Sequence, residues 1–298
     1  LLTAGERGLN ALCYAMSTLS SSGIMPGERL PQSPVGVPTE MLIFLFLFVG
    51  ITRRSLPGPV LVDRSRPIWA DHEVRLAVAF LIMVPSVLFL RHWAGAIEAD
   101  DAQNLRAALH ALWGAVFTTL SFLTTTGFES GGWASARAWS GLGTPGLILL
   151  GLAMIGGGIA TATGGLKLLR VYALARHGER ELNRLVYPSS IGGGGEAERR
   201  LRNEGAYAAW IFFMLYALTL AVFVALLALA NIQFEPALVL TVASISTTGP
   251  LATLATETPI RYAELGPAVK VILALAMMIG RLEVLAILAL LSPATWRR

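Results

Sequence analysis

Long stretches without any charged residue are the feature that most limits what this chain can fold into. Residues 144–166 and 205–234 contain no Asp, Glu, Lys or Arg. An apolar stretch of about 18 or more residues without charge is a candidate membrane span. Charged residues make up only 14% of the 298 residues, against roughly 25% in soluble globular domains. The sequence therefore predicts an all-α integral membrane protein that crosses the bilayer several times.

Five segments are long and apolar enough to cross about 30 Å of hydrocarbon, which takes roughly 20 residues. They are residues 34–52, 74–92, 144–170, 205–231 and 265–292. Segments 52–75 and 167–204, with the C-terminal Arg pair, hold 15 of the 23 basic residues. Because cytoplasmic loops are enriched in Lys and Arg, we expect these segments on the cytoplasmic side, and Lys167 is counted among them.

Three further apolar segments would break this alternation if they crossed the membrane. They are residues 8–27, 109–128 and 236–256, and each begins as a helix-like run and then breaks into hydroxyl residues and glycine. Non-helical backbone at membrane depth is tolerated only where it is buried in protein or lines a watery cavity. We therefore interpret the three segments as re-entrant loops around a pore or a substrate site.

An internal repeat connects these three loops. Aligned on Gly23, Gly127 and Gly249, they read Ser-Ser-Ser-Gly, Thr-Thr-Thr-Gly and Ser-Thr-Thr-Gly. The glycines are 104 and 122 residues apart, which fits a unit of span, re-entrant loop and span. The hydroxyl–glycine segments, as we call them, are residues 20–23, 124–127 and 246–249.

A short helix followed by such a segment can aim backbone carbonyls at a central axis, because glycine permits conformations closed to other residues. Rings of carbonyls replace the hydration shell of K⁺ in channel filters, and helix C-termini favour a cation. The alternative is close helix packing through small and hydroxyl residues, but the threefold repetition favours a filter. The predicted K⁺-binding residues are Ser21, Ser22, Gly23, Thr125, Thr126, Gly127, Thr247, Thr248 and Gly249.

These motifs make the chain resemble the Trk/Ktr/HKT superfamily of K⁺- and Na⁺-translocating membrane subunits, closest to its bacterial TrkH/KtrB type. The resemblance covers the whole chain, and its most specific parts are residues 124–128, 156–158, 164–167, 246–250 and 280–283. It implies membrane span–pore loop–membrane span repeats around a central ion pore, as in K⁺ channels. Residues 1–72 would be the second repeat, 73–204 the third and 205–298 the fourth.

Two departures from the family pattern stand out. The second-repeat segment reads Gly23-Ile24, without the Phe that usually follows this glycine. The sequence also lacks a first repeat and begins Leu-Leu-Thr, so we expect a fragment of a longer protein or a processed chain.

A glycine-rich stretch, residues 156–165, interrupts the third predicted span. Glycine clusters disfavour one continuous helix, although close helix packing is the alternative. The resemblance implies an intramembrane loop that blocks or opens the ion path. Arg281 lies mid-span, where a charge is costly, either beside this loop or in a buried ion pair. The predicted gate residues are Gly156, Gly157, Gly158, Gly164, Gly165 and Arg281.

The predicted function is K⁺ translocation by a multi-pass uptake subunit in the bacterial inner (cytoplasmic) membrane. The resemblance implies a homodimer and a cytoplasmic nucleotide-binding regulatory ring of the TrkA/KtrA type, which would dock on residues 52–73 and 176–204. K⁺ is the transported ion, and neither a further cofactor nor a nucleic-acid partner is expected.

The sequence leaves two rival interpretations open and gives no support to a third. Within transport, the rival is a Na⁺-permeable or cation-coupled symporter of the same fold. Outside transport, the rival is a non-conducting scaffold subunit. An enzyme is not expected, because the four histidines are scattered and no nucleophile or metal-ligand spacing is present.

Overall fold

The fold is helical throughout the described part of the chain. The computed structural model describes residues 1–25, 36–51, 69, 71–96, 104–140, 144–158, 161–186, 196–256 and 259–282, and these contain no β-strand. The α-helices are α1 Gly8–Ser20, α2 Val37–Ile51, α3 His72–Ala96, α4 Asn104–Leu123, α5 Trp133–Ser140, α6 Gly146–Ile155, α7 Leu168–Val186, α8 Glu196–Leu229, α9 Phe234–Ile245, α10 Leu251–Leu254 and α11 Pro267–Leu282.

The surface of the outer helices and the interior of the central helices both differ from those of a typical soluble protein. Large apolar side chains on the outer helices are exposed, among them Phe46 (61%), Ile82 (64%) and Leu218 (61%). Hydroxyl side chains on the central helices are fully buried instead. These are Thr118, Thr119, Ser121, Thr241 and Ser244. An exposed apolar surface of this extent is suited to contact with lipid or another protein rather than water.

Two helical stretches in the described residues are long and apolar enough to cross a membrane, His72–Phe89 and Gly205–Leu229. They coincide with two predicted spans. The predicted spans at 34–52 and 265–292 correspond to the shorter α2 and α11, and residues after Leu282 lie outside the described part of the chain.

The predicted span 144–170 is not a continuous helix. α6 ends at Ile155, Gly156 follows with φ 75°, and α7 begins only at Leu168. The ten residues of α6 extend about 15 Å, roughly half the hydrocarbon thickness. The predicted interruption by glycine is thus confirmed.

α4 and α9 lie at the centre of the molecule. α4 packs on α2, α3, α5 and α6, whereas α9 packs on α6, α8, α10 and α11. Phe117 and Leu120 on α4, and Leu240 and Val242 on α9, are fully buried. Since hydroxyl–glycine segments follow both helices directly, this packing places two of the three segments at the centre.

α5 was not predicted from the sequence. Its eight residues, Trp-Ala-Ser-Ala-Arg-Ala-Trp-Ser, are too few for a periodic pattern to predict a helix. The helix is positioned by a backbone contact just before it, where a Cβ on Gly132 would lie 2.4 Å from the His110 carbonyl oxygen. This contact lays the start of α5 against α4.

Candidate ion-binding site and glycine-rich loop

The same backbone break ends α1, α4 and α9. The second residue of each hydroxyl–glycine segment has a left-handed backbone, with φ 46° at Ser21, 54° at Thr125 and 56° at Thr247. Positive φ is uncommon for residues other than glycine. The positions aligned by the sequence repeat therefore share a rare backbone conformation.

The hydrogen bonds that close the three helices repeat as well. In each case the residue after the left-handed one donates its N–H to a carbonyl five residues earlier. The pairs are Ser22 to Ser17 (3.1 Å), Thr126 to Ser121 (2.9 Å) and Thr248 to Ala243 (2.8 Å). This pattern is a Schellman motif, in which glycine usually takes the left-handed position. The motif turns each chain away from its helix axis at the same point.

The three segments contact one another. A Cβ on Gly23 would lie 2.1 Å from the Thr126 carbonyl oxygen, so only glycine allows this approach. The Thr248 hydroxyl donates to the Thr125 carbonyl at 3.2 Å. The structure thus brings predicted residues from all three segments together.

Gly127 and Gly249 have different surroundings. Gly127 has φ 79°, and a Cβ there would meet the Thr248 methyl group at 2.9 Å. Around Gly249, no atom lies within 4 Å of the added Cβ. Segment 124–127 is therefore tightly packed at Gly127, whereas segment 246–249, in the fourth repeat, borders open space at Gly249.

Hydroxyl groups on α4 hold the chain that follows Gly127. The Phe128 N–H donates to Ser121 Oγ at 2.6 Å, and the Ser130 N–H donates to Thr118 Oγ1 at 3.4 Å. Buried hydroxyls on this helix thus satisfy backbone donors that regular secondary structure leaves unpaired. The outer limb, residues 127–131, consequently runs back along α4.

Tyr262 supports the fourth-repeat segment from the connection before α11. Its hydroxyl donates to the Gly249 carbonyl at 3.3 Å. Desolvation by burial raises the pKa of Tyr262 to about 12. The phenol therefore keeps its proton at neutral pH and remains a donor.

The glycine-rich loop, residues 156–167, is closed at its base. The N–H groups of Leu166 and Lys167 donate to the carbonyls of Met154 and Ile155 at 2.9 and 2.8 Å. Its described part contains all five predicted gate glycines. Gly156 and Gly165 have positive φ, whereas Gly157, Gly158 and Gly164 lie against neighbouring chain segments.

The loop reaches the hydroxyl–glycine segment 124–127 directly. The Gly164 N–H donates to Thr125 Oγ1 at 3.0 Å. A Cβ on Gly164 would also lie 2.6 Å from the Ser246 carbonyl oxygen. The loop therefore contacts two of the three segments, so a movement of the loop would change their surroundings.

Lys167 is buried within the loop instead of being exposed in a connection between spans. It was counted with the cytoplasmic basic residues, but it is only 5% exposed. Its ammonium group donates to the carbonyls of Thr161 (2.9 Å) and Thr163. The reason is that loop carbonyls without helical partners can receive a buried ammonium, so Lys167 closes the loop instead of marking a membrane side.

Arg281 joins the loop to two segments. Its guanidinium donates to the Ala162 carbonyl (3.4 Å), to Thr247 Oγ1 (3.1 Å) and to the Ser20 carbonyl (2.9 Å). A cavity of about 150 Å³ lies between the loop and Arg281. These partners are uncharged oxygen atoms, which matches the predicted place beside the loop; Glu283 lies outside the described residues.

Side chains in the described residues offer no alternative metal centre. No group of three or more His, Cys, Asp or Glu residues there could hold a metal ion. The oxygen atoms gathered around Thr125 and Thr248 are carbonyls and hydroxyls. Such neutral oxygen ligands suit a weakly hydrated monovalent cation rather than a transition metal.

Comparison with known proteins identifies the family. The profile of TrkH, described as a cation transport protein, matches residues 43–297. The chain belongs to the TrkH family. Cation transport is not a class of enzyme, and TrkH transporters are membrane proteins, which agrees with the apolar outer surface described above.

The curated TrkH relatives are considerably longer than this chain. The Trk system potassium uptake protein TrkH of Salmonella typhimurium is 30% identical over 295 residues, covering 99% of this chain and 58% of that protein. The protein of the same name from Escherichia coli is 29% identical over 297 residues, again with 58% of its length covered. The chain therefore spans less than two thirds of these relatives.

A solved structure agrees with the fold. The potassium transporter TrkH from Vibrio parahaemolyticus matches with a TM-score of 0.77 and 24% identity, covering 99% of this chain and 61% of that one. The span–loop–span architecture predicted from the sequence is thus the fold of a TrkH transporter.

Sequence reasoning missed two features of the site. One is the left-handed conformation of Ser21, Thr125 and Thr247, although a hydroxyl residue at this aligned position in all three repeats was an available signal. The other is Glu40, a buried carboxylate beside the outer limb. A single acid at the start of an apolar run carries no pattern that would distinguish it from a loop charge.

Proposed function

We propose that the chain is part of a K⁺-translocating subunit, in which the three hydroxyl–glycine segments contribute to a four-segment selectivity filter. The observation that carries this proposal is the repeated left-handed break at Ser21, Thr125 and Thr247. It gives three segments one backbone geometry around one point. Carbonyl rings of this kind replace the hydration shell of K⁺.

The identity of the transported ion is inferred from the names of the relatives. The Salmonella typhimurium and Escherichia coli proteins are potassium uptake proteins by name. The site residues predicted from the sequence are the proposed ligands, through their backbone carbonyls. Residues 1–72, 73–204 and 205–298 are the proposed second, third and fourth repeats.

The glycine-rich loop and Arg281 form the proposed gate. The loop contacts segment 124–127 through a hydrogen bond from the Gly164 N–H to Thr125 Oγ1. The Arg281 guanidinium donates to the Ala162 carbonyl in the same loop. A cationic guanidinium next to a narrow pore repels K⁺ at short range. Both features oppose conduction while the loop is in place.

The setting of the protein follows from the same proposal. It is a multi-pass protein of the bacterial inner membrane, works as a homodimer, and is regulated by a cytoplasmic nucleotide-binding ring of the TrkA/KtrA type. The proposed docking residues 52–73 lie almost entirely outside the described part of the chain. In the second docking segment, α7 presents exposed charges such as Arg176 and Glu179.

Flux measurements on the full-length protein test the proposal. Purified protein would be reconstituted into liposomes, and uptake of K⁺ and Na⁺ would be measured under equal gradients. We expect K⁺ uptake well above that of empty liposomes and above Na⁺ uptake. Gly205→Ala on α8, where a Cβ meets no atom within 4 Å, is a control variant that should behave like the wild type.

The rival interpretations make different predictions in this assay. A Na⁺-permeable protein would take up Na⁺ as fast as K⁺, whereas a cation-coupled symporter would need a second cation for K⁺ uptake. A scaffold subunit would show no flux above empty liposomes. Each of these results would contradict a K⁺-selective filter.

A further inference from the structure

Glu40 is a buried carboxylate that the proposed filter and gate do not use. It lies in the first turn of α2 and is 4% exposed. Burying a carboxylate is costly unless it is paired or accepts hydrogen bonds. The hydrogen-bond partners of Glu40 therefore indicate which part of the structure it stabilises.

Both oxygens of Glu40 accept hydrogen bonds from the third repeat. Oε2 accepts from the Trp113 indole N–H at 2.8 Å and from the Ser130 hydroxyl at 2.7 Å. Oε1 accepts from the Gly131 backbone N–H at 2.8 Å. A carboxylate accepts without donating, and all three partners are donors. Glu40 thus ties α4 and the outer limb to α2.

The outer limb transmits this restraint to Gly127. Ser130 is only three residues from Gly127, and its hydroxyl also accepts from the Gly132 N–H at 3.1 Å. Hydrogen bonds to charged groups are roughly twice as strong as neutral ones. The carboxylate therefore fixes one end of a short segment whose other end carries the Gly127 carbonyl.

The corresponding contact beside the fourth-repeat segment is built differently. There the start of α6 packs directly on the chain after that segment, since a Cβ on Gly146 would lie 2.1 Å from the Leu254 carbonyl oxygen. Backbone contact thus takes the place of a carboxylate. Glu40 thus contacts the chain after segment 124–127, whereas backbone packing holds the chain after segment 246–249.

We propose that Glu40 is a positioning residue for cation selectivity, acting through Ser130 and Gly131 on the Gly127 carbonyl. This inference rests on the proposed filter. It assigns part of the filter geometry in the third repeat to a carboxylate on α2, in the preceding repeat. Glu40 touches no ion itself, so its removal alters discrimination between cations by moving the outer limb.

Glu40→Gln tests this role in full-length protein in liposomes. The amide keeps the size of the side chain, but if its oxygen faces Trp113 and Ser130, its NH₂ group faces the Gly131 N–H and that bond is lost. We expect the ratio of K⁺ to Na⁺ uptake to fall roughly threefold to tenfold, as loss of one charge-assisted bond allows. Ser130→Ala should lower the ratio too, and the double variant should fall by less than the product.

Glu6→Gln is the matched control. Glu6 is 5% exposed, and its Oε1 accepts from the hydroxyl of Thr39, the neighbour of Glu40. Because this bond does not involve the outer limb, the ratio should stay at the wild-type value. Melting temperatures measured in parallel separate selectivity from stability. A wild-type ratio in both Ser130→Ala and Glu40→Gln, even with lower melting temperatures, would overturn the inference and leave the proposed filter standing. If Glu40→Gln does not fold, Ser130→Ala alone decides in the same way. Wild-type protein without K⁺ preference would overturn both proposals.

Discussion

At the scale of single residues, the two glycines Gly127 and Gly249 are not equivalent, although the sequence repeat aligns them. Gly127 combines φ 79° with a crowded Cβ position, whereas Gly249 faces open space. A side chain at positive φ costs roughly 1–2 kcal/mol, and a factor of ten corresponds to about 1.4 kcal/mol. The structure therefore ranks substitutions that the sequence treats alike.

We predict that Gly127→Ser lowers the K⁺/Na⁺ uptake ratio by about tenfold, while Gly249→Ser lowers it less. Both variants should insert normally into the membrane, because neither adds a charge. Uptake by liposomes containing equal amounts of each full-length variant would measure this ranking. Equal ratios in the wild type and both variants would contradict a filter at these residues.

The positive charge of Arg281 is the part of the proposed gate that a single substitution can remove. Arg281→Gln removes the positive charge beside the pore and weakens the bond to the Ala162 carbonyl, so basal K⁺ flux should rise roughly fivefold or more. Lys270→Gln, at the other end of α11 where the ammonium donates to Ala263, is the control and should leave flux unchanged.

A structural ion pair at Arg281 would give a different result. If the guanidinium were half of a structural ion pair, Gln would leave a buried charge unmet and cost about 3–5 kcal/mol of stability. Poor expression with lost flux would then be observed. Flux measured per amount of folded protein separates the two cases.

At the scale of secondary-structure elements, the glycine-rich loop acts as a separate unit between α6 and α7. Its base is closed by backbone bonds from Leu166 and Lys167, and its tip contacts Thr125 and Arg281. Shortening the loop should therefore withdraw the tip from these contacts while α6 and α7 persist.

We predict that deleting Gly157 and Gly158 raises basal K⁺ flux, because the shortened loop no longer reaches across the path. Combined with Arg281→Gln, the increase should be smaller than the product of the single effects, since both changes relieve one barrier. Single and double variants would be compared in the same liposome assay. Fully multiplicative increases would show that the loop and Arg281 act separately.

The elements also show what the sequence could and could not predict. The ends of α1, α4 and α9 were predictable because hydroxyl residues and glycine follow each apolar run. α5 was not, because a helix of only eight residues is marginal by itself and depends on its packing against α3 and α4. The burial of Lys167 was not predictable, because a count of charges by segment does not show which carbonyls accept from a buried ammonium.

At the scale of the whole molecule, the sequence predicts the order of spans and the membrane side of each connection. Thr256, a position suggested by this topology for labelling from outside, is only 5% exposed and would shield a thiol. Arg176 and Arg261 are better labelling positions than Thr256, because 60% and 75% of their side-chain areas are exposed.

We predict that Arg176→Cys reacts with an impermeant thiol reagent only from the cytoplasmic side, and Arg261→Cys only from outside. Cys13 would be replaced in both variants, because it is a free thiol. Labelling of intact cells and of inverted vesicles would be compared. Reaction of both cysteines from the same side would contradict the re-entrant assignment of residues 236–256, because a true crossing there moves Arg261 to the other face.

The central claim is that a K⁺-like ion binds among the backbone carbonyls of the three hydroxyl–glycine segments. Anomalous diffraction from crystals of the full-length protein grown in Rb⁺ tests it most directly, because Rb⁺ substitutes for K⁺ and is located by its scattering. We predict Rb⁺ peaks on the axis between the backbones of Gly23, Gly127 and Gly249, and their absence when Na⁺ replaces Rb⁺. Well-ordered segments with no Rb⁺ between them, or Rb⁺ bound only elsewhere, would contradict the account.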